Sequence, residues 1–271
     1  MSPSSRWPWI LPFAMRVHRT RRSLLWWLHG VTGRVRWAAV RDVPVLGHVV
    51  RTHASPLLRE LSPAEMPLQH GKVINLRLAA TSVNGVVIRP GESMSFNRLV
   101  GDATARRGFV EGMRIARGAP EAGVGGGLCQ LANVLHWLAL HSDLTVVERT
   151  EHDVDLFPDN ERRVPWGSGC TIVYNYLDLV IRNDTSDDFQ FLVTVDESDL
   201  RGELRSAAAQ PIWHVEARDE RFELEGSEVM RSNELWRTRE SADGPVEELV
   251  RRNRARVAYD VAPERLAGGV G

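Results

Sequence analysis

Cys129 is one of only two cysteines in this 271-residue chain, and it sits in the run Gly125-Gly126-Gly127-Leu128-Cys129-Gln130. The run leads into LANVLHWLALH, residues 131–141, where Leu131, Leu135 and Leu138 recur at helical spacing beside Val134 and Trp137. This pattern predicts a glycine-rich turn feeding a helix, with Cys129 in the first turn. Glycine tolerates positive φ and lets other groups approach its backbone closely. The first helical turn carries unpaired N–H groups and partial positive charge, which favours a thiolate. Cys129 is therefore a candidate nucleophile. A small buried cysteine behind a tight turn is the alternative reading of the same six residues.

A thiol nucleophile needs a base. His136 lies seven residues on, nearly the same face but about 10 Å along the axis, so the spacing makes it a packed or surface-exposed residue and not the base. His152 is the better candidate, because a loop after a strand can fold back onto a helix start, with Asp153 or Asp155 orienting its imidazole. Gln130 is a candidate oxyanion donor, or a hydrogen-bonding member of the turn. Arg149 suits a substrate carboxylate held by a bidentate pair, or a structural ion pair. Cys129, His136, His152 and Cys170 lack the dense spacing of a metal site. The glycine run lacks the Lys-Ser or Lys-Thr that would follow in a phosphate loop. No metal and no cofactor is expected.

These groups must be positioned by a sizeable core. Apolar residues make up 43% of the chain and charged residues 25%, ordinary for a globular protein. Charge is uneven. Residues 1–60 hold ten arginines against Asp42 and Glu60, while the whole chain nets −1. Lys72 is the only lysine, which reads as arginine-biased codon use. The basic stretch also carries Trp7, Trp9, Trp26, Trp27 and Trp37. It reads as helices packed on the main domain or lying on an anionic membrane surface. No nucleic-acid reader motif accompanies the charge, so no nucleic acid is expected. No stretch reaches the roughly 18 apolar residues of a membrane span, and no export signal stands out, so the expectation is cytoplasmic, with peripheral attachment at the inner face of the membrane as the alternative.

Further along, VVI before Pro90-Gly91, LTVVER at 144–149, TIVYNYLDLVIRN and FQFLVTVDE read as strands, and WHVEARDERFELE with EVMRSNELWRTRE as a further pair. Residues 98–124 and 150–169 read as loops. The expected class is α+β: a mostly antiparallel sheet, a central helix entered through the glycine turn, and a helical N-terminal extension. The expected division is an extension at 1–65, a main domain at 66–205, and a C-terminal strand pair and tail at 206–271, packed on the main domain.

Taken together, NGVVIRPGESMSFNRLVGDATARRGFVEG, GGGLCQLANVLHWLAL, ERTEH and VPWGSGCTIVYNYLDLVIRNDT resemble the VanW family in order and spacing. The family takes its name from an accessory protein of vancomycin-resistance clusters. The resemblance places Gly125, Gly126, Gly127, Cys129 and Gln130 in its glycine-cysteine-glutamine motif. Pro90, Gly91, Ser95, Phe96 and Asn97 match its proline-glycine block, and Arg149 and His152 its arginine-histidine pair. Two positions depart from the pattern. Leu131, Ala132 and Asn133 stand where serine and threonine are common, and Gly169 and Cys170 where an aspartate often precedes the next strand. The resemblance implies a peptide-like or cell-wall-related ligand, held by Gly125, Gly126, Gly127, Arg149, Ser95 and Asn97. Two functions fit: a cysteine-dependent hydrolase or acyl-transferase using Cys129, His152 and Gln130, or a non-catalytic binding module for a cell-wall precursor or membrane-associated partner. A purely structural Cys129 is the third reading. The sequence specifies no oligomeric state.

Overall fold

The apolar stretch after the glycine turn folds as a helix, α4 (Leu128–Leu140), that is buried almost all round. A helix apolar on every face belongs in a core. The computed structural model describes residues 10–41, 43–58, 66–116, 119–151, 154–156, 158–159 and 163–266. Ahead of α4 come α1 (Ile10–Val31), β1 (Arg36–Trp37), β2 (His48–Pro56), α2 (Met66–Val83), β3 (Val86–Ile88), β4 (Glu92–Ser95), α3 (Phe96–Val100), β5 (Glu111–Ala116) and β6 (Ala119–Val124). After it come β7 (Thr145–Glu148), β8 (Val154–Asp155), β9 (Val180–Arg182), β10 (Phe189–Val195), β11 (Asp199–Ser206), β12 (His214–Glu225), β13 (Glu228–Arg239) and β14 (Val246–Val257).

The chain is α+β, and its strands pair mostly antiparallel. One sheet has the order β2-β11-β10-β3, a second β1-β4-β9-β7, a third β12-β13-β14-β8, and β5 pairs with β6. Among the strand pairs of the described residues, only β1–β4 and β8–β14 run parallel. The alternation in β11 puts Leu200 and Leu204 inward, as period-two patterning requires. They meet Leu131, Leu135 and Leu138 of α4, Leu76 and Val83 of α2, and Phe189, Phe191 and Val193 of β10 in one core. Trp137, Leu140 and Leu235 form a smaller cluster where α4 meets β13.

Several segments differ from the sequence expectation. Met66–Val83, which the sequence pattern assigns to no element, form α2. The buried set Gln69, Lys72, Leu76, Ala79, Ala80 and Val83 recurs every three to four residues, but its polar members mask the apolar stripe. Residues 98–124, expected as loop, contain the β5–β6 pair. TIVYNYLDL is not a strand. Asn175 takes φ 55, the segment turns back through a Val173–Leu177 bridge, and the Asn175 amide donates to Arg19 O at 3.0 Å on α1. The basic extension is helical over Ile10–Val31, but its later part contains β2, paired along its length with β11. The expected C-terminal strand pair is a three-stranded meander, because VEELVRRNRARV joins it as β14.

Candidate functional site

The glycine turn is dictated by close contacts. Gly127 takes φ 100 at the entry to α4, a region that disfavours other residues. A Cβ there would also lie 2.0 Å from Lys72 Cγ, and one on Gly126 would lie 2.1 Å from Gly112 O. The turn is therefore pressed against α2 and β5, with no room for a side chain. Cys129 emerges just beyond it, half-buried, and lines a cleft of about 740 Å³.

Burial pushes the Cys129 thiol above its ordinary value, while the backbones of Ile172 and of Cys129 itself pull weakly the other way. Desolvation thus outweighs the helix-start effect expected from sequence, and the thiol is kept neutral. Cys170 is buried behind it and pushed up to about 12 by the same cause, opposed by the adjacent Arg149 guanidinium. Both cysteines are free thiols.

The neighbouring groups are committed to the scaffold. The Gln130 amide donates to Ser55 Oγ at 2.9 Å and to Pro56 O at 2.8 Å on β2. Both its N–H groups are used, so an oxyanion would have to displace one. Arg149 donates through Nε to Gly169 O at 2.7 Å and through its terminal nitrogen to Gly167 O. His136 Nδ1 lies 2.8 Å from Ser168 O; a carbonyl only accepts, so this nitrogen carries the proton. Asn133 Oδ1 accepts from Cys170 N at 2.6 Å. Three successive carbonyls and the next N–H are thus pinned, which makes residues 167–170 a rigid wall of the cleft. His136 is fully packed, and burial lowers its pKa to about 3, too low for a base at neutral pH.

Ser95 and Asn97, where β4 passes into α3, are gathered around Asp178. Ser95 Oγ donates to Asp178 at 2.6 Å and caps α3 through Arg98 N at 3.2 Å. The Asn97 backbone N–H donates to Asp178 at 2.9 Å, and its side chain to Leu177 O at 2.9 Å and Val173 O at 3.3 Å. Asn97 also lines the cleft; Ser95 does not. His152 and Asp153 lie outside the described residues, although Glu151 and Val154 on either side both line the cleft. Asp155 is held by Arg231 at 2.9 Å and by the Tyr259 hydroxyl at 2.9 Å, which gives it a partner other than an imidazole. Among the described residues no cluster of three metal-ligating side chains occurs.

Cleft residues not singled out from the sequence include His53, Lys72 and Arg163. Burial and the nearby Arg51 lower the His53 pKa. Lys72 carried a signal, as the one lysine in a chain that otherwise uses arginine. His53 and Arg163 carried none, because they come from segments far apart in sequence.

Residues 71–205 match the family described as VanW like protein. Over 140 residues the chain is 39% identical to the Vancomycin B-type resistance protein VanW of Enterococcus faecalis, covering 52% of this chain and 51% of that protein. Over 129 residues it is 32% identical to the uncharacterized protein YoaR of Bacillus subtilis, covering 46% of this chain and 41% of that one. The chain spans about half the length of the curated relatives it matches. No solved structure gives a significant match. The glycine turn, Cys129, Gln130, Arg149 and the Asp178 cluster all fall within the matched segment, and through residues 71–205 the chain belongs to the VanW-like family.

Proposed function

We propose that the chain is a binding module whose cleft takes a short peptide-like ligand with a free carboxylate, of the kind found in cell-wall precursors. The observation that carries this reading is the cleft of about 740 Å³ lined by cationic Lys72 and Arg163, by anionic Asp102 and Glu151, and by the small-residue turn at Gly125 and Gly127. Its volume lies within the range of small-molecule sites. Groups of both signs suit a ligand with amine and carboxylate ends, and the turn lets a ligand backbone approach closely. A neutral thiol at Cys129 suits contact better than attack.

The test is calorimetric titration with N-acetyl-lysyl-alanyl-alanine, in L and D forms, each as the free acid and as the C-terminal amide. The free acid is expected to bind at least about tenfold more tightly than the amide. Cys129→Ala should retain binding and Lys72→Met should weaken it. Equal affinity for acid and amide, or loss of binding on Cys129→Ala alone, overturns the reading.

A second reading, a cysteine-dependent hydrolase or acyl-transferase, is favoured by one observation: Cys129 and both flanks of the His152 segment line the same cleft. It requires a bound ligand, or the His152 imidazole beside the sulfur, to lower the thiol pKa. Turnover of the same peptides, abolished in Cys129→Ala and in His152→Ala, would support it over the binding module.

A further inference from the structure

Helix α1 presents its sides in an unusual order. The side facing the domain is polar. Arg22 donates to Glu148 at 2.8 and 2.7 Å, to Asp178 at 3.3 Å and to Tyr176 O at 3.1 Å. On the same side Trp26 is bracketed by the guanidinium groups of Arg22 and Arg98 at 5.1 and 5.6 Å. The apolar side faces outward. Val17, Leu24, Leu28 and Val31 follow one another at spacings of seven, four and three residues, which puts them in one stripe. Leu24 is 54% exposed, Val31 68%, and Trp27 at the edge of the stripe 62%. A helix docked on a soluble core normally buries its apolar stripe and exposes its charges; α1 reverses this.

We propose that α1 is an anchor that lays this stripe into the headgroup–acyl boundary of an anionic lipid bilayer. Charge identifies the occupant. Residues 1–41 contain eight arginines and no aspartate or glutamate, which complements anionic headgroups. The same charge opposes pairing with a second copy of α1, since two such faces would repel. Arg21 falls within the stripe, and its long stem can snorkel to the headgroups. No helix among the described residues is long and apolar enough to cross a membrane, so the helix lies along the surface, with a tryptophan at the interface. Arg19, on the domain-facing side of α1, also lines the cleft, so the anchor helix and the cleft are joined through one element. The inference is independent of what the cleft binds.

The test uses the full chain with sedimentable vesicles of phosphatidylcholine, with or without phosphatidylglycerol. Binding is expected only to the anionic vesicles and should weaken as salt rises. The double variant Leu24→Ser, Trp27→Ser is expected to lower partitioning at least about tenfold with an unchanged unfolding midpoint, because both residues are exposed and opposite the Arg22 clamp. In the wild-type chain, brominated lipid should quench tryptophan emission, and the quenching should be lost in the variant. Absence of vesicle binding, equal binding to neutral vesicles, or wild-type partitioning by the variant overturns the proposal. So does a wild-type dimer in sedimentation equilibrium that the variant abolishes, which would assign the stripe to a second copy.

Discussion

At Cys129 two influences oppose each other. A helix start draws the thiol toward the thiolate; removal from water drives it toward the thiol. The second prevails because the helix lies in the core and its N-terminal turn is pressed against α2. Iodoacetamide labelling of Cys129, followed against pH, should show an inflection above the ordinary thiol value of about 8.5, and an inflection below it would mean an activating partner sits on the sulfur. The sequence revealed the turn and the cysteine but not this balance, since glycine spacing carries no record of burial. It likewise could not show that the two departures from the family pattern meet, with Asn133 receiving the Cys170 N–H at 2.6 Å. Asn133→Ala leaves that N–H of a buried residue without its acceptor and should cost about 1–3 kcal/mol in denaturant unfolding.

At the scale of the element, α4 was legible as a helix because its leucines keep strict spacing, whereas α2 was not, because Gln69, Lys72 and Asn75 interrupt its buried face. The two helices meet at Gly127, where positive φ and the Lys72 stem exclude a side chain. Gly127→Ala should therefore destabilise the protein by about 1–3 kcal/mol, seen as a lower denaturation midpoint at unchanged slope. Helix α4 also carries a pH dependence of definite sign. Burial lowers the His136 pKa to about 3 and that of His141, at its C-terminal end, to about 4. Both are protonated more readily when unfolded, so their stability contribution is complete above about 6.5 and is lost as pH falls toward 4 and then 3. Asp178 has the opposite sign. Burial raises its pKa to about 6, so its contribution is present at low pH and lost as pH rises through 6. Unfolding free energy measured from pH 7 to 4 should fall by an amount on the order of a few kcal/mol, and His136→Gln should flatten that fall. An unchanged profile in the variant would show that His136 is not the buried neutral group.

Across the whole molecule, the cleft is not the product of residues 71–205 alone. Strand β2 supplies His53, Ser55 and Pro56, and β14 supplies Arg254 and Ala255. These contributions were hidden because β2 lies in a stretch dominated by arginine and tryptophan, and because β14 reads as a run of charges. The tie between the C-terminal sheet and the cleft is Arg231, 1% exposed. It donates to Asp155 at 2.9 Å, to Asp159 at 2.9 and 2.7 Å, and to Glu220 at 2.5 Å. Its guanidinium also lies between Trp166 and Phe222, at 4.8 and 5.1 Å. Asp155 and Trp166 are themselves cleft residues, so one cation joins the sheet to the cleft wall. Removing it would take the ion pair with Arg231 from buried Asp155, beside Asp159 and Glu220, which keep the more exposed Arg265 at 3.6 and 3.1 Å. Breaking a buried pair from one side is costly, about 3–5 kcal/mol, and the loss should be larger than any packing defect from a side chain of similar length. Arg231→Met is therefore expected to lower unfolding free energy by that amount and to weaken peptide binding in the cleft. Joint neutralisation in Arg231→Met, Asp155→Asn should recover part of the stability, because the stranded charge is then removed as well. A single variant that unfolds like the wild type would mean that the C-terminal sheet is held to the cleft wall by its apolar contacts instead.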